Sequence, residues 1–120
     1  MEKHLLLIDP DTGARQATAS LLRRRKYSVE TGKNLTEALK KLSSSTFRCL
    51  LLDVDIPEMK GYEAVGILKN MDPDIKVIMM TQKNTKKLEA KVREQDIFFY
   101  FIKSFGKEEL ILAINNVFST

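Results

Sequence analysis

Cys49-Leu50-Leu51-Leu52-Asp53-Val54-Asp55 is an unbroken apolar run that stops at a carboxylate, with a second carboxylate two positions on. A run without polar alternation has no wet face, so it predicts a strand buried on both sides, the setting of a parallel sheet covered by helices. Apolar runs at 5–8, 27–31, 77–80 and 98–102 repeat the pattern, and a helix-period segment follows each of the five, at 12–26, 35–42, 62–70, 85–94 and 107–118. Strand and helix therefore alternate from end to end.

That alternation predicts an α/β fold, (βα)5: a doubly wound, flavodoxin-like sheet of five parallel strands in the order 2-1-3-4-5. At 120 residues, with 43% hydrophobic and 30% charged side chains, the chain suits one domain over 1–120 with a core of its own. Asn34 three residues before Glu37 predicts a capped start to the second helix, and Asp72-Pro73-Asp74 breaks the chain before the fourth strand. In the last helix Leu110, Ile111, Ala113, Ile114, Val117 and Phe118 share one arc while Leu112 faces away.

The one cysteine, Cys49, sits inside an apolar run and reads as a buried hydrophobe, which suits a reducing, cytoplasmic setting. The apolar start at Leu5 is too short for a signal-peptide core or a membrane span. Net charge is +4, concentrated in Arg23-Arg24-Arg25-Lys26 and in Lys83, Lys86, Lys87, Lys91 and Arg93. Without a reading helix or stacking aromatics these read as solvated helix faces, and direct nucleic-acid binding is not expected.

Ligands of open parallel sheets gather beyond the carboxyl ends of the strands. There the first strand ends in Asp9 with Asp11 close behind, the third in Asp53 with Asp55, the fourth in Thr81 and the fifth in Lys103. Carboxylates gathered this way repel one another unless a cation is present, and oxygen donors suit Mg²⁺. A lysine and a hydroxyl beside them suit phosphoryl oxygens, and an aspartate can attack phosphorus to give an acyl phosphate.

Leu51-Leu52-Asp53-Val54-Asp55-Ile56-Pro57-Glu58-Met59-Lys60-Gly61, Val77-Ile78-Met79-Met80-Thr81 and Tyr100-Phe101-Ile102-Lys103-Ser104-Phe105 together resemble the receiver domains of two-component response regulators, and the likeness runs the length of the chain. The resemblance implies Asp53 as phospho-acceptor. Asp9, Asp53 and the backbone carbonyl of Asp55 would hold Mg²⁺, Thr81 and Lys103 would bind the phosphoryl group, and Tyr100 would be the switch aromatic. It implies no enzyme beyond self-directed phosphotransfer and dephosphorylation. Partners would be a sensor histidine kinase or a histidine phosphotransfer protein as donor, a downstream protein as target, and room for a homodimer; no membrane is involved.

Three positions depart from that family. Pro10 stands where a second adjacent acid is usual, which leaves Asp11 either to reach inward to the metal or to cap the first helix. Ser104 replaces a proline that follows the lysine in a cis peptide; a trans bond and a displaced Lys103 are the expectation, since a cis bond before serine costs about 3 kcal/mol. Gln82, large where a small residue is preferred, threatens to crowd the phosphoryl pocket. Weak Mg²⁺ binding, and slow or absent phosphorylation, are the expectation. The rival readings are a pseudo-receiver that binds partners without phosphorylation, and a haloacid-dehalogenase-type phosphatase, suggested by Asp53-Val54-Asp55 but lacking that family's strand position and later acidic pair.

Overall fold

A computed structural model describes residues 3–119. Strands β1 (His4–Ile8), β2 (Ser28–Gly32), β3 (Cys49–Asp53), β4 (Lys76–Thr81) and β5 (Phe99–Ile102) alternate with helices α1 (Thr12–Arg24), α2 (Leu35–Ser44), α3 (Gly61–Met71), α4 (Lys86–Arg93) and α5 (Lys107–Phe118). The strands form one sheet in the order β2-β1-β3-β4-β5, and every pairing is parallel.

Successive side chains of a strand point to opposite faces, and here both faces are apolar. Leu6, Ile8, Leu50, Leu52, Val77 and Met79 pack with Leu35, Ala38, Val65, Leu68 and Val92 under α2, α3 and α4. Leu5, Leu7, Leu51, Ile78, Met80 and Phe101 pack with Ala19, Leu22, Leu110, Ile114 and Val117 under α1 and α5. Cys49 belongs to the second layer, and burial pushes its thiol well above the usual range, so it stays a neutral hydrophobe. Leu112 is exposed, as its place on the α5 arc predicts.

Helix starts follow local chemistry. Asn34 caps α2 by accepting the Glu37 amide at 2.8 Å, but Glu37 returns the favour to Lys33 (2.8 Å) rather than to Asn34. Thr85 lies outside α4 as its cap, accepting the Leu88 amide at 3.0 Å. At the end of α1 the amides of Lys26 and Tyr27 return to the carbonyls of Arg23 and Leu22, and Lys26 takes φ 73°, the left-handed turn that stops the helix. No helix among the described residues is long and apolar enough to cross a membrane.

Candidate functional site

Because β1 pairs with β3 in the register Ile8↔Leu52, the next residue of each strand, Asp9 and Asp53, emerges side by side at the carboxyl edge. β4 and β5 add Thr81 and, just past the paired Ile102, Lys103. Asp9, Asp53 and Thr81 are all buried.

Each carboxylate is held in the same way. One oxygen of Asp9 accepts the Asp11 amide at 2.9 Å, and one oxygen of Asp53 accepts the Asp55 amide at 2.8 Å. The other oxygen of each meets the Lys103 ammonium, at 2.8 Å and 2.7 Å. One positive charge thus sits between two negative ones. Burial raises the Asp53 pKa above the usual carboxylate value; the bonds from Lys103 and the Asp55 amide offset only part of this, and the Asp9 charge adds to it. For Lys103 burial works against the ammonium, but its bonds to Asp53 and Asp9 prevail and hold its pKa above the ordinary lysine value.

The expected displacement of Lys103 by Ser104 does not occur. No described peptide bond is cis, and Lys103 opens a 3-10 turn, Lys103–Phe105, with its ammonium spanning both acids. Gln82 is exposed rather than packed into the pocket. Asp11 takes the capping role: its side chain is exposed and accepts the Ala14 amide at 3.2 Å at the start of α1.

Thr81 turns its hydroxyl to the Lys83 backbone, accepting the amide at 3.3 Å and donating to the carbonyl at 3.2 Å. The Tyr100 ring is buried in the core layer under α2, α3 and α4, and its hydroxyl donates to Asn84 at 2.6 Å. Asn84 in turn donates to Glu89 at 3.1 Å, tying Tyr100 to the β4–α4 loop and to α4. The Asp55 side chain points to solvent and pairs with Lys60 at 3.0 Å, while no hydrogen bond among the described residues uses its carbonyl. Gly61 is required here: a Cβ would lie 2.4 Å from the Asp53 carbonyl oxygen, and the Gly61 amide donates to Val54 at 2.7 Å to close the loop.

Sequence reasoning missed Asn84, Arg15 and Glu58. Arg15 donates to the Asp9 carbonyl at 2.8 Å, and Glu58 accepts the Leu35 and Thr36 amides at 3.0 and 3.2 Å, a second cap on α2. The bonds of Asn84 to Tyr100 and of Glu58 to α2 depend on the fold for their meeting; that of Arg15 is local, and a basic residue six positions after Asp9 hints at it.

Asp9 and Asp53 bring two carboxylates together at Lys103, and among the described residues no group of three or more acidic, histidine or cysteine side chains forms a metal cage. Mg²⁺ does not need one; it retains water and takes one or two carboxylates plus phosphate oxygens. The set fits a hydrated ion sparsely held.

A five-stranded parallel sheet in this order, with its polar groups collected at the carboxyl edge, defines the flavodoxin-like class of α/β folds. Residues 5–115 match the model of the response regulator receiver domain, and the chain belongs to that family. It is 32% identical over 122 residues to the response regulator SaeR of Staphylococcus epidermidis, covering 95% of the chain and 49% of the relative. It is 30% identical over 110 residues to the response regulator protein TodT of Pseudomonas putida, covering 92% and 48%. The chain thus spans about half the length of these curated relatives. Among solved structures, response regulator protein TrrA from Thermotoga maritima, in complex with Mg²⁺-BeF, superposes with a TM-score of 0.84 at 26% identity, over 98% of this chain and 99% of that one. The chain is a receiver domain of the two-component response regulators, consistent with phosphorelay signalling.

Proposed function

We propose that the chain accepts a phosphoryl group on Asp53. A carboxylate oxygen of Asp53 attacks phosphorus, the P–N bond of a donor phosphohistidine breaks as the P–O bond forms, and the imidazole leaves with the bonding pair and takes up a proton. The observation that carries this reading is the Lys103 ammonium set between two buried carboxylates, 2.8 Å and 2.7 Å from them. A cation in that place can leave the Asp53 oxygen for a phosphoryl oxygen while keeping Asp9, so it serves both the free and the loaded site. Thr81 re-aims its hydroxyl from the Lys83 carbonyl to the phosphoryl group. Tyr100, bonded to Asn84 in the same loop, moves with it and carries the change to α4.

Asp9, Asp53 and the Asp55 carbonyl would hold Mg²⁺, which offsets charge between the acceptor and the incoming phosphoryl oxygens when bound. With Pro10 carrying no donor and Asp11 committed to the helix cap, its affinity is lower than an acid pair would give. The donor is a sensor histidine kinase or histidine phosphotransfer protein in the cytoplasm, and the loaded form is read by a downstream protein or a second copy of the chain. The chemistry is confined to Asp53 itself, with no turnover of external substrates.

Purified protein incubated with Mg²⁺ and a small-molecule phosphodonor gains the mass of one phosphoryl group, and Asp53→Asn gains none. No gain in the parent, with no beryllofluoride adduct either, overturns the proposal in favour of a phosphorylation-independent binding module.

A further inference from the structure

A cavity of about 330 Å³ opens between the β3–α3 loop, α3 and α4, with Val54, Tyr62 and Leu88 contributing its apolar lining. Lys83, Lys87 and Lys91 stand along one side of it, all exposed. Among the described residues their ammonium groups have no hydrogen-bond or ion-pair partner. Across the opening the Lys60 ammonium pairs with Asp55, the only acid of the lining. The groove therefore carries excess positive charge around an apolar floor.

That arrangement works against the isolated domain. Lys87 and Lys91 are one turn apart on α4, where like charges repel, and Lys87 lies in the first turn, at the positive end of the helix dipole. Glu89, the one acid within α4, is already taken by Asn84 and Arg93. An anionic occupant would relieve the repulsion, and the floor would take an aliphatic side chain between the anions. Stacking platforms for nucleobases are absent apart from the single Tyr62, which favours a peptide over a nucleic acid.

We propose that the α3–α4 groove docks an acidic segment of a partner protein, a short stretch of aspartate and glutamate around one aliphatic residue that seats on Val54, Tyr62 and Leu88. The groove borders the phosphoacceptor site, sharing Asp55 with the proposed metal ligands, but does not include Asp9, Asp53 or Lys103, and the reading does not depend on phosphorylation of Asp53.

The test is a fluorescence-anisotropy titration of the unphosphorylated protein with a fluorescein-labelled peptide of aspartate and glutamate with one central leucine. Asparagine and glutamine replace the acids in a control peptide. The acidic peptide binds and the neutral one does not, with affinity falling as salt rises. Lys87→Glu weakens binding about tenfold, whereas Lys86→Glu, an equal charge change on the same helix outside the groove, changes it less than about twofold. Both side chains are exposed, and thermal melts by circular dichroism check that both variants fold. Equal losses in the two variants would reduce the effect to the general positive field and overturn the proposal. So would no binding of the acidic peptide at low salt, or tighter binding of an oligouridylate than of the peptide.

Discussion

The β1–α1 and β3–α3 connections begin alike and end differently. Both start with a buried aspartate that accepts the amide two residues on and shares Lys103 through its other oxygen. After Asp9 only residues 10–11 precede α1, so Asp11 has to serve as its cap. After Asp53 the chain runs through 54–60 before α3, long enough to turn the Asp55 side chain out to Lys60 and leave its carbonyl unused. The local bonding of an acid does not decide its chemistry. The length of chain between it and the next helix decides which donors stay available beside it.

The largest test of this contrast is to remove each acid in turn. Asp53→Asn is expected to abolish phosphoryl gain in intact-mass measurements. Asp9→Asn leaves an acceptor in place, slows the gain, and weakens Mg²⁺ by at least roughly tenfold, the scale on which even outer partners of a metal matter. Phosphorylation surviving in Asp53→Asn and lost in Asp9→Asn would reverse the assignment.

Next comes the shared cation. Lys103→Met leaves two buried carboxylates facing each other and is expected to cost about 3–5 kcal/mol at neutral pH, on the scale of a broken buried ion pair. In the parent, Asp53 has a raised pKa, so its carboxylate form is the less favoured one in the fold and its contribution falls as pH rises through that pKa. Lys103, also raised, contributes stability throughout the neutral range and loses it only as alkaline pH passes its folded pKa. Without the lysine the Asp53 pKa rises further, and protonation relieves the repulsion. Urea unfolding should therefore show a smaller deficit for the variant near pH 5 than near pH 7. An unchanged deficit would mean the loss is one of packing.

The missing acid of the first connection can be put back. Pro10→Asp supplies a carboxylate next to Asp9, and Mg²⁺ affinity by calorimetric titration should rise roughly tenfold, since ligand charge tunes such sites. An unchanged affinity would show that the two acids and the Asp55 carbonyl already suffice.

The strands were legible because both faces of the sheet are covered, which leaves runs such as Leu50-Leu51-Leu52 without interruption. The acid edge was legible because each strand stops where its apolar run stops. What the sequence could not carry were choices made between elements. Asp11 had two chemically reasonable fates, and the position of α1 chose one. Lys103 was expected to move when its following proline was lost; two buried carboxylates waiting at 2.7–2.8 Å hold it regardless. The Asn84 bridge to Tyr100 and the Glu58 cap on α2 join a loop to a strand and a loop to a helix, 16 and 23 residues apart, beyond any periodicity.

Asp11→Ala is the smallest and most discriminating change. If Asp11 only caps α1, losing its bond to the Ala14 amide costs about 1 kcal/mol. For a domain of this size that lowers the melting temperature by roughly 4 °C. The Asp9 carboxylate keeps the Asp11 backbone amide, because alanine still supplies it, so the acid pair and its lysine stay as they are. Mg²⁺ affinity and the rate of phosphoryl gain should then match the parent. A melting temperature lowered by that amount with an unchanged Mg²⁺ titration separates the two connections as described. A Mg²⁺ affinity that falls along with stability would mean that Asp11 abandons the cap for the metal, and that the short connection recovers, at the expense of the helix end, the donor that Pro10 lacks.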